Sequence, residues 1–317
     1  MDKRYDILNV GIIVADLMLR LPCKTLDFQT DMIRLPEIPL LPGGDAANSA
    51  ITAARLGMKV ALCCKTGGDA VGKLVLDMVS GSGVDTSFAT RDPSLHTNVS
   101  TVMVNNEGDR TLVCCSGNNR ELSIEDIPTE AIEQAKHINI SSIFAHPKLD
   151  RGGAAELFRR AKECGATTSA DVTHDAYGTG FDGIKAILPY TDYIMPSYKE
   201  GRYLTGETEP EKMAEFLIRH GAGTAVIKMG GDGCFIQTAT QCIRCPAYAV
   251  TPIDTTGAGD NFMAGFMTGL LNQLELEECG RLANAAAAMC TLTLGATGPI
   301  TMDEVKAFMR IIPLKRR

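Results

Sequence analysis

Short β-branched runs alternate with amphipathic runs along most of this chain, and that alternation restricts the fold more than any other feature. Residues 5–13, 60–66, 137–143, 167–171, 192–195 and 225–229 read as strands. Residues 46–56, 69–80, 154–164 and 211–220 read as helices. The second of these carries Val71, Leu74, Val75 and Met78 at spacings of three and four, which line one helical face. Consecutive parallel strands need a crossover, and helical crossovers cover both faces of the sheet. The expected fold is therefore three-layer α/β with a mostly parallel sheet, one domain over residues 1–317. Two stretches break the rhythm. Residues 99–105 and 110–115 flank Asn106-Glu-Gly-Asp109 and read as a β-hairpin, while 15–40 is extended and punctuated by proline. Together, at about 15–40 and 96–117, they are expected to pair as a small antiparallel sheet, a lid over a ligand cleft.

Charge narrows the partners. With 38 acidic against 31 basic side chains the net charge is −7, which excludes broad electrostatic binding of nucleic acid or anionic membrane. The basic run Lys315–Arg317 reads as a solvated tail. The apolar start is broken by Asp16 and Arg20, and nothing approaches the roughly 18 uninterrupted apolar residues of a membrane span. A cytoplasmic location follows as the expectation. The 11 cysteines are scattered, with Cys63-Cys64 and Cys114-Cys115 in strand-like runs, so free thiols are expected. Cys242-Ile-Arg-Cys245 has no second pair at zinc spacing.

The segment Asp254-Thr-Thr-Gly-Ala-Gly-Asp260 is the most informative. Gly257, Ala258 and Gly259 leave their backbone N–H groups open to close approach, and a helix begins there, with Phe262, Met263, Phe266, Leu270 and Leu271 along it. Free amides and the positive end of a helix converge on an anion site. Asp260 places a carboxylate beside that anion, a repulsive arrangement unless it accepts the proton of an attacking hydroxyl. A glycine loop followed by an acidic helix cap would be the ordinary structural explanation. The second segment, Leu41-Pro-Gly-Gly-Asp-Ala-Ala-Asn48, makes that explanation insufficient. Gly43 and Gly44 again expose backbone, Asn48 lies about one helical turn on, and Asp16 follows the first strand. A carboxylate and an amide suit a vicinal diol, which makes Asp16, Gly43, Gly44 and Asn48 the candidate substrate residues.

These two segments resemble the paired signatures of the ribokinase family of carbohydrate kinases, also called the phosphofructokinase-B family. The likeness runs on through Gly108-Asp-Arg110, Gly117-Asn-Asn119, residues 196–200 and Ile227-Lys-Met-Gly230. It implies a ribokinase-like αβα fold and ATP-dependent phosphorylation of a hydroxyl, a hydroxymethyl group being the expected one, on a sugar or sugar-like molecule. By that resemblance Asp260 is the base and the Gly257–Gly259 amides form the anion hole. Lys228, Gly230, Gly233 and Asn284 lie along ATP, and Glu200 organises Mg²⁺ indirectly. Asp254 and Thr256 match positions that hold a monovalent cation, usually K⁺. Three positions depart from the pattern: Ser197 stands for the usual Asn, Val14 for a polar residue, and Asp45 for the Lys of typical ribokinases. These count against ribose as the specific substrate.

A nucleoside is the alternative acceptor, since the diol contacts also fit its ribose; Phe28, Met32 and Met103 are candidates to cover its base. A phosphosugar would call on Lys24, Arg34 and Arg110. A non-catalytic ligand-binding member of the fold would have no need of Asp260. Edge strands in the lid suggest a homodimer paired through the lids. Other features are read structurally. Residues 67–74 nearly spell a P-loop, but Leu74 cannot supply the hydroxyl that ligates Mg²⁺. His96, His146 and His174 have no metal-ligand spacing, and each stands near a predicted strand end where substrate contact is conceivable. Met263, Met267 and Met289 fit core positions, as does the tight run 285–288, whereas Asn284 before it has little packing reason.

Overall fold

The computed structural model describes residues 3–107, 110–115, 117–298 and 300–315. The N-terminal half contains β1 (Tyr5–Val10), β2 (Val14–Arg20), β3 (Leu40–Gly43), α1 (Asp45–Arg55), β4 (Val60–Cys63), β5 (Lys65–Gly67) and α2 (Ala70–Gly81). There follow β6 (Thr90–Asp92), β7 (Val99–Val104), β8 (Arg110–Cys114), α3 (Thr129–Glu133), β9 (Ala135–Ile143) and α4 (Ala154–Glu163). The next stretch holds β10 (Thr167–Val172), α5 (Phe181–Lys185), β11 (Tyr193–Ile194), α6 (Tyr198–Thr205), α7 (Pro210–Arg219) and β12 (Thr224–Lys228). The chain closes with β13 (Cys234–Gln237), β14 (Cys242–Cys245), α8 (Ala258–Leu271), α9 (Leu276–Cys290) and α10 (Met302–Ile311).

The main sheet runs β14-β13-β12-β11-β10-β9-β1-β4. From β4 to β12 every pairing is parallel, and β13 and β14 return antiparallel at one edge. Successive residues of β1 show why both faces must be covered. Ile7 packs into the apolar layer shared with Ala50, Ile51 and Phe266 of α1 and α8, and Leu8 into the layer shared with Leu157 and Leu217 of α4 and α7. The expected three-layer α/β architecture is the one observed. No helix among the described residues is long and apolar enough to cross a membrane.

The first predicted strand, 5–13, ends three residues early. Gly11 takes φ +149°, and a Cβ there would lie 2.8 Å from the Ser141 carbonyl oxygen. The chain leaves the main sheet at that close approach, and β2 joins a second sheet ordered β3-β2-β7-β8. Here β2 pairs antiparallel with β3 but parallel with β7, so the small sheet is mixed rather than antiparallel throughout. The strands β7 and β8 are antiparallel neighbours as the hairpin reading requires, while its turn residues Gly108 and Asp109 lie outside the described residues. Only the ends of 15–40 pair; residues 21–39 form no strand and leave Phe28 95% exposed and Met32 64% exposed. The predicted strand 60–66 also divides, β5 turning aside to pair with β6.

The P-loop-like stretch starts α2. Asp69 caps that helix by accepting from the Gly72 amide at 2.8 Å, and Lys73 pairs with Asp77 on the exposed face. Gly72 is small because a Cβ would meet the Gly67 carbonyl at 2.4 Å. Of the basic tail, only Lys315 belongs to the described residues.

Candidate active site

Helix α1 is buried almost all round, from Ala46 to Ala53, because it lies between the sheet and α8. Its alanines permit that close packing, and its two polar side chains facing α8 find partners there. The Asn48 amide donates to an Asp260 carboxylate oxygen at 2.9 Å, and the Thr52 hydroxyl donates to Asn261 at 2.8 Å. The early glycine turn and the late one are thus joined at their helix starts. Gly44 (φ +96°) precedes α1 and Gly257 (φ +72°) precedes α8; a Cβ on Gly257 would lie 2.4 Å from the Ala296 carbonyl oxygen. Asn261, fully buried, fastens this second turn by donating to the carbonyls of Gly257 and Ala296, each at 2.7 Å. Sequence reasoning passed over Asn261, although a polar residue on an apolar helical face directly after Asp260 was a usable signal.

Two cavities meet at these turns, one of about 470 Å³ and the other of about 800 Å³. Asp45, Thr173, Thr255, Gly257 and Asp260 line both. The smaller takes in Ala258, Gly259, Lys228, Gly230, Gly233, Glu200 and Asn284. The larger takes in Asp16, Gly44, Asn48, Thr256, Arg110 and His174. Gly43 lines neither. A Cβ there would stand 1.9 Å from a carboxylate oxygen of Asp16, so its part is to leave room for that side chain. Asp254 also lies behind the wall. Its carboxylate accepts from the Thr256 amide at 2.9 Å, the Thr256 hydroxyl at 2.6 Å and the Gly295 amide at 3.0 Å. Against the cost of burial, those donors hold the Asp254 carboxyl below the usual range.

The electrostatics are dominated by carboxyls that have lost water. Burial, with Asp45 adding repulsion, pushes Asp260 well above the ordinary carboxylate range; the Asn48 amide and Lys228 oppose the shift. Burial likewise raises Asp16 to about 6, with Ser100 opposing and Asp45 reinforcing. Asp45 itself is raised by burial although the Ser142 hydroxyl donates to it. Ser142 (φ +67°) and Phe144 (φ +82°) hold left-handed backbone at the end of β9, a conformation that costs about 1–3 kcal/mol for such residues. Phe144 lines the larger cavity.

Lys228, at the end of β12, meets Asp171, near the end of β10, at 2.5 Å. Burial disfavours the ammonium, but Asp171, Glu200 and Asp260 together keep its pKa raised. Asp171 is not among the expected site residues: its place at a strand C-terminus points to the cleft, but nothing in the sequence pairs it with Lys228. Glu200 is oriented by Ser197: its carboxylate accepts from the Ser197 amide at 2.7 Å, and its own amide donates to the Ser197 hydroxyl at 3.3 Å. Serine in place of asparagine therefore serves as the cap of α6.

The remaining candidates divide. His174 lines the larger cavity, His96 is exposed beside Asp69, and His146 is buried with its Nδ1 2.8 Å from the Asn119 carbonyl oxygen. Phe28, Met32 and Met103 line neither cavity, nor do Lys24 and Arg34, so the side chains expected to cover a nucleoside base stand elsewhere. Arg110 reaches down from β8 to hydrogen-bond the Thr256 hydroxyl.

The family profile described as pfkB family carbohydrate kinase matches residues 6–302. The chain belongs to this family. Among its pfkB relatives is a ribokinase of Haemophilus influenzae, 28% identical over 314 residues, covering 96% of this chain and 99% of the relative. Two solved structures share the fold. One is a putative ribokinase II from E. coli in complex with ATP and Mg²⁺, with TM-score 0.85, 21% identity and coverage of 98% and 99%. The other is an Arabidopsis thaliana ribokinase complexed with ribose and ATP, with TM-score 0.82, 24% identity and coverage of 98% and 100%. Family membership makes this pfkB chain an ATP-dependent carbohydrate kinase with the ribokinase-like fold.

Proposed function

We propose that this kinase moves the γ-phosphoryl of ATP in line onto a hydroxymethyl group of a sugar-like molecule, with Asp260 as the general base. ATP fits the smaller cavity: Gly230, Gly233 and Asn284 would lie along it, and Lys228 offers a cation to its phosphates. The acceptor fits the larger cavity, where Asp16, Gly44 and Asn48 would take its hydroxyls. The acceptor oxygen bonds to the γ-phosphorus as the bond to the ADP oxygen breaks. ADP leaves with that electron pair, and the hydroxyl proton passes to Asp260. Charge on the transferring group is met by the amides of Gly257, Ala258 and Gly259 at the start of α8. The single observation that carries this reading is the Asn48–Asp260 hydrogen bond at the junction of the two cavities.

Among the described residues no group of three or more His, Cys, Asp or Glu side chains is arranged to hold a metal ion. Mg²⁺ would be held chiefly by the phosphates and water, with Glu200 in the outer shell, the usual habit of this ion. A monovalent cation at Asp254 and Thr256 fits less well. Both Asp254 oxygens already accept hydrogen bonds, and the Arg110 guanidinium stands 3.9 Å away. The proposal further takes the small sheet as a lid that excludes water on closure, the chain as a homodimer paired through it, and the location as cytoplasmic.

Asp260→Asn keeps the shape and removes the base. In a coupled ADP-release assay its kcat should fall by about 10²–10⁴, with Mg-ATP affinity by calorimetry retained. Turnover near that of the wild type would remove Asp260 from the role.

A further inference from the structure

The larger cavity carries positive charge that hydroxyl binding leaves unused. Arg120 lines it from the 3₁₀ turn Asn118–Glu121. Its neighbour Glu121 pairs with Lys148 instead, and among the described residues no carboxylate lies within ion-pairing distance of Arg120. The guanidinium lies over the Tyr177 ring, 5.7 Å from its centroid. Such stacking orients an arginine without neutralising it.

Both supports of Arg120 are fixed by buried polar groups. Asn118, fully buried, anchors the turn by donating to the Lys65 carbonyl at 2.5 Å and accepting from the Asn98 amide at 2.6 Å. On the other side Asp175, 8% exposed, gathers the loop that presents Tyr177. It accepts from the amides of Tyr177 at 2.9 Å and Gly180 at 2.7 Å, and from the hydroxyls of Thr179 and Tyr203, each at 3.0 Å. The turn and the loop that carry the pair are thereby ordered before any ligand arrives, which lowers the cost of binding. Arg110, on β8, brings a second guanidinium to the same cavity. A neutral acceptor would satisfy Asp16 and Asn48 yet leave the Arg120 fork facing the cavity without an anion, beside an Arg110 whose one carboxylate partner, Asp254, stands 3.9 Å away, whereas a carboxylate or phosphate matches the geometry of both.

We propose that the acceptor is a sugar-like molecule bearing a carboxylate or a phosphate, and that Arg120, assisted by Arg110, binds that anion and sets specificity. The inference rests on the phosphotransfer reading for the choice of cavity. Its test uses a hexose, its aldonic acid and its monophosphate, each titrated by calorimetry onto the kinase holding a non-hydrolysable ATP analogue. The same three are then assayed for ADP release with Mg-ATP. One anionic acceptor is expected to bind and turn over at least about tenfold better than the hexose, as one charge-assisted hydrogen bond requires. The two anionic arms distinguish carboxylate from phosphate. Arg120→Ala should abolish the preference, mainly by raising Kd and KM about 10- to 100-fold, and Arg120→Lys should restore part of it.

A hexose or nucleoside bound better than both anionic acceptors would overturn the inference while leaving phosphotransfer intact. So would an Arg120→Ala variant that keeps the preference, or the failure of both anionic acceptors to bind. Arg120-dependent anion binding without ADP from any acceptor would instead support the anion site and sink the phosphotransfer reading.

Discussion

Asp16, Asp45 and Asp260 bring three carboxyls to one cleft, and each is held above its ordinary range chiefly by burial. An acid whose folded pKa exceeds its unfolded value binds its proton more tightly in the folded chain. Its stability contribution is therefore present at low pH and lost as pH rises through the folded value. For Asp16 that window runs from about 3.8 up to about 6. Asp16→Asn removes the charge and can still accept from Ser100. Above the upper limit it should stabilise the protein by about 1–2 kcal/mol, a rise in Tm of a few degrees. The gain should vanish below the lower limit, and acceptor KM should rise throughout. Thermal melts of both proteins across pH check this, and a variant less stable than the wild type at neutral pH would contradict it. Asp16 thus trades stability for a ligand site, a pattern common where charge is kept for function.

At the scale of elements, β8 is exposed along its whole length, with Leu112 47% and Val113 58% exposed. An uncovered edge strand of this kind invites pairing with a second copy. Small-angle or light scattering at micromolar concentration should therefore report a dimer, and Val113→Lys should shift it to monomer; a wild-type monomer would contradict the pairing. The larger elements were readable because parallel strands covered on both faces leave continuous apolar runs, and because a helix such as α2 repeats its apolar residues every three to four. The break after β1 was hidden, since Ile12 and Ile13 continue the apolar run and only the approach of Ser141 forces Gly11 to turn. The parallel pairing of β2 with β7 was hidden for a related reason: it joins segments about eighty residues apart through register alone. Buried polar contacts left no periodic mark either. Asn139 donates to Asn9 at 2.8 Å and accepts from Ser169 at 2.7 Å, bridging β9 to β1 and β10 beneath α8. Each residue reads separately as an ordinary strand polar residue.

Over the whole molecule, the carboxyl ends of β9, β10 and β12 and the starts of α1 and α8 open onto one edge of the main sheet. That is where an open α/β sheet leaves a crevice. Both glycine turns and Asp260 were legible there because small residues before a helix have a physical meaning independent of the rest of the chain. Asp171 and Arg120 were not, because their significance depends on what faces them: Lys228 for the first, the Tyr177 ring for the second. The small sheet reaches the same crevice through Asp16 and Arg110, two of its residues that line the larger cavity. Its closure would bring acceptor and nucleotide together at the junction while excluding water. A crystal structure with a non-hydrolysable ATP analogue, Mg²⁺ and an acceptor tests that meeting most directly. The account predicts one acceptor hydroxyl within about 3.2 Å of the Asp260 carboxylate and in line with the γ-phosphorus. An acceptor and a γ-phosphate seated on separate surfaces, with Asp260 touching neither, would contradict it.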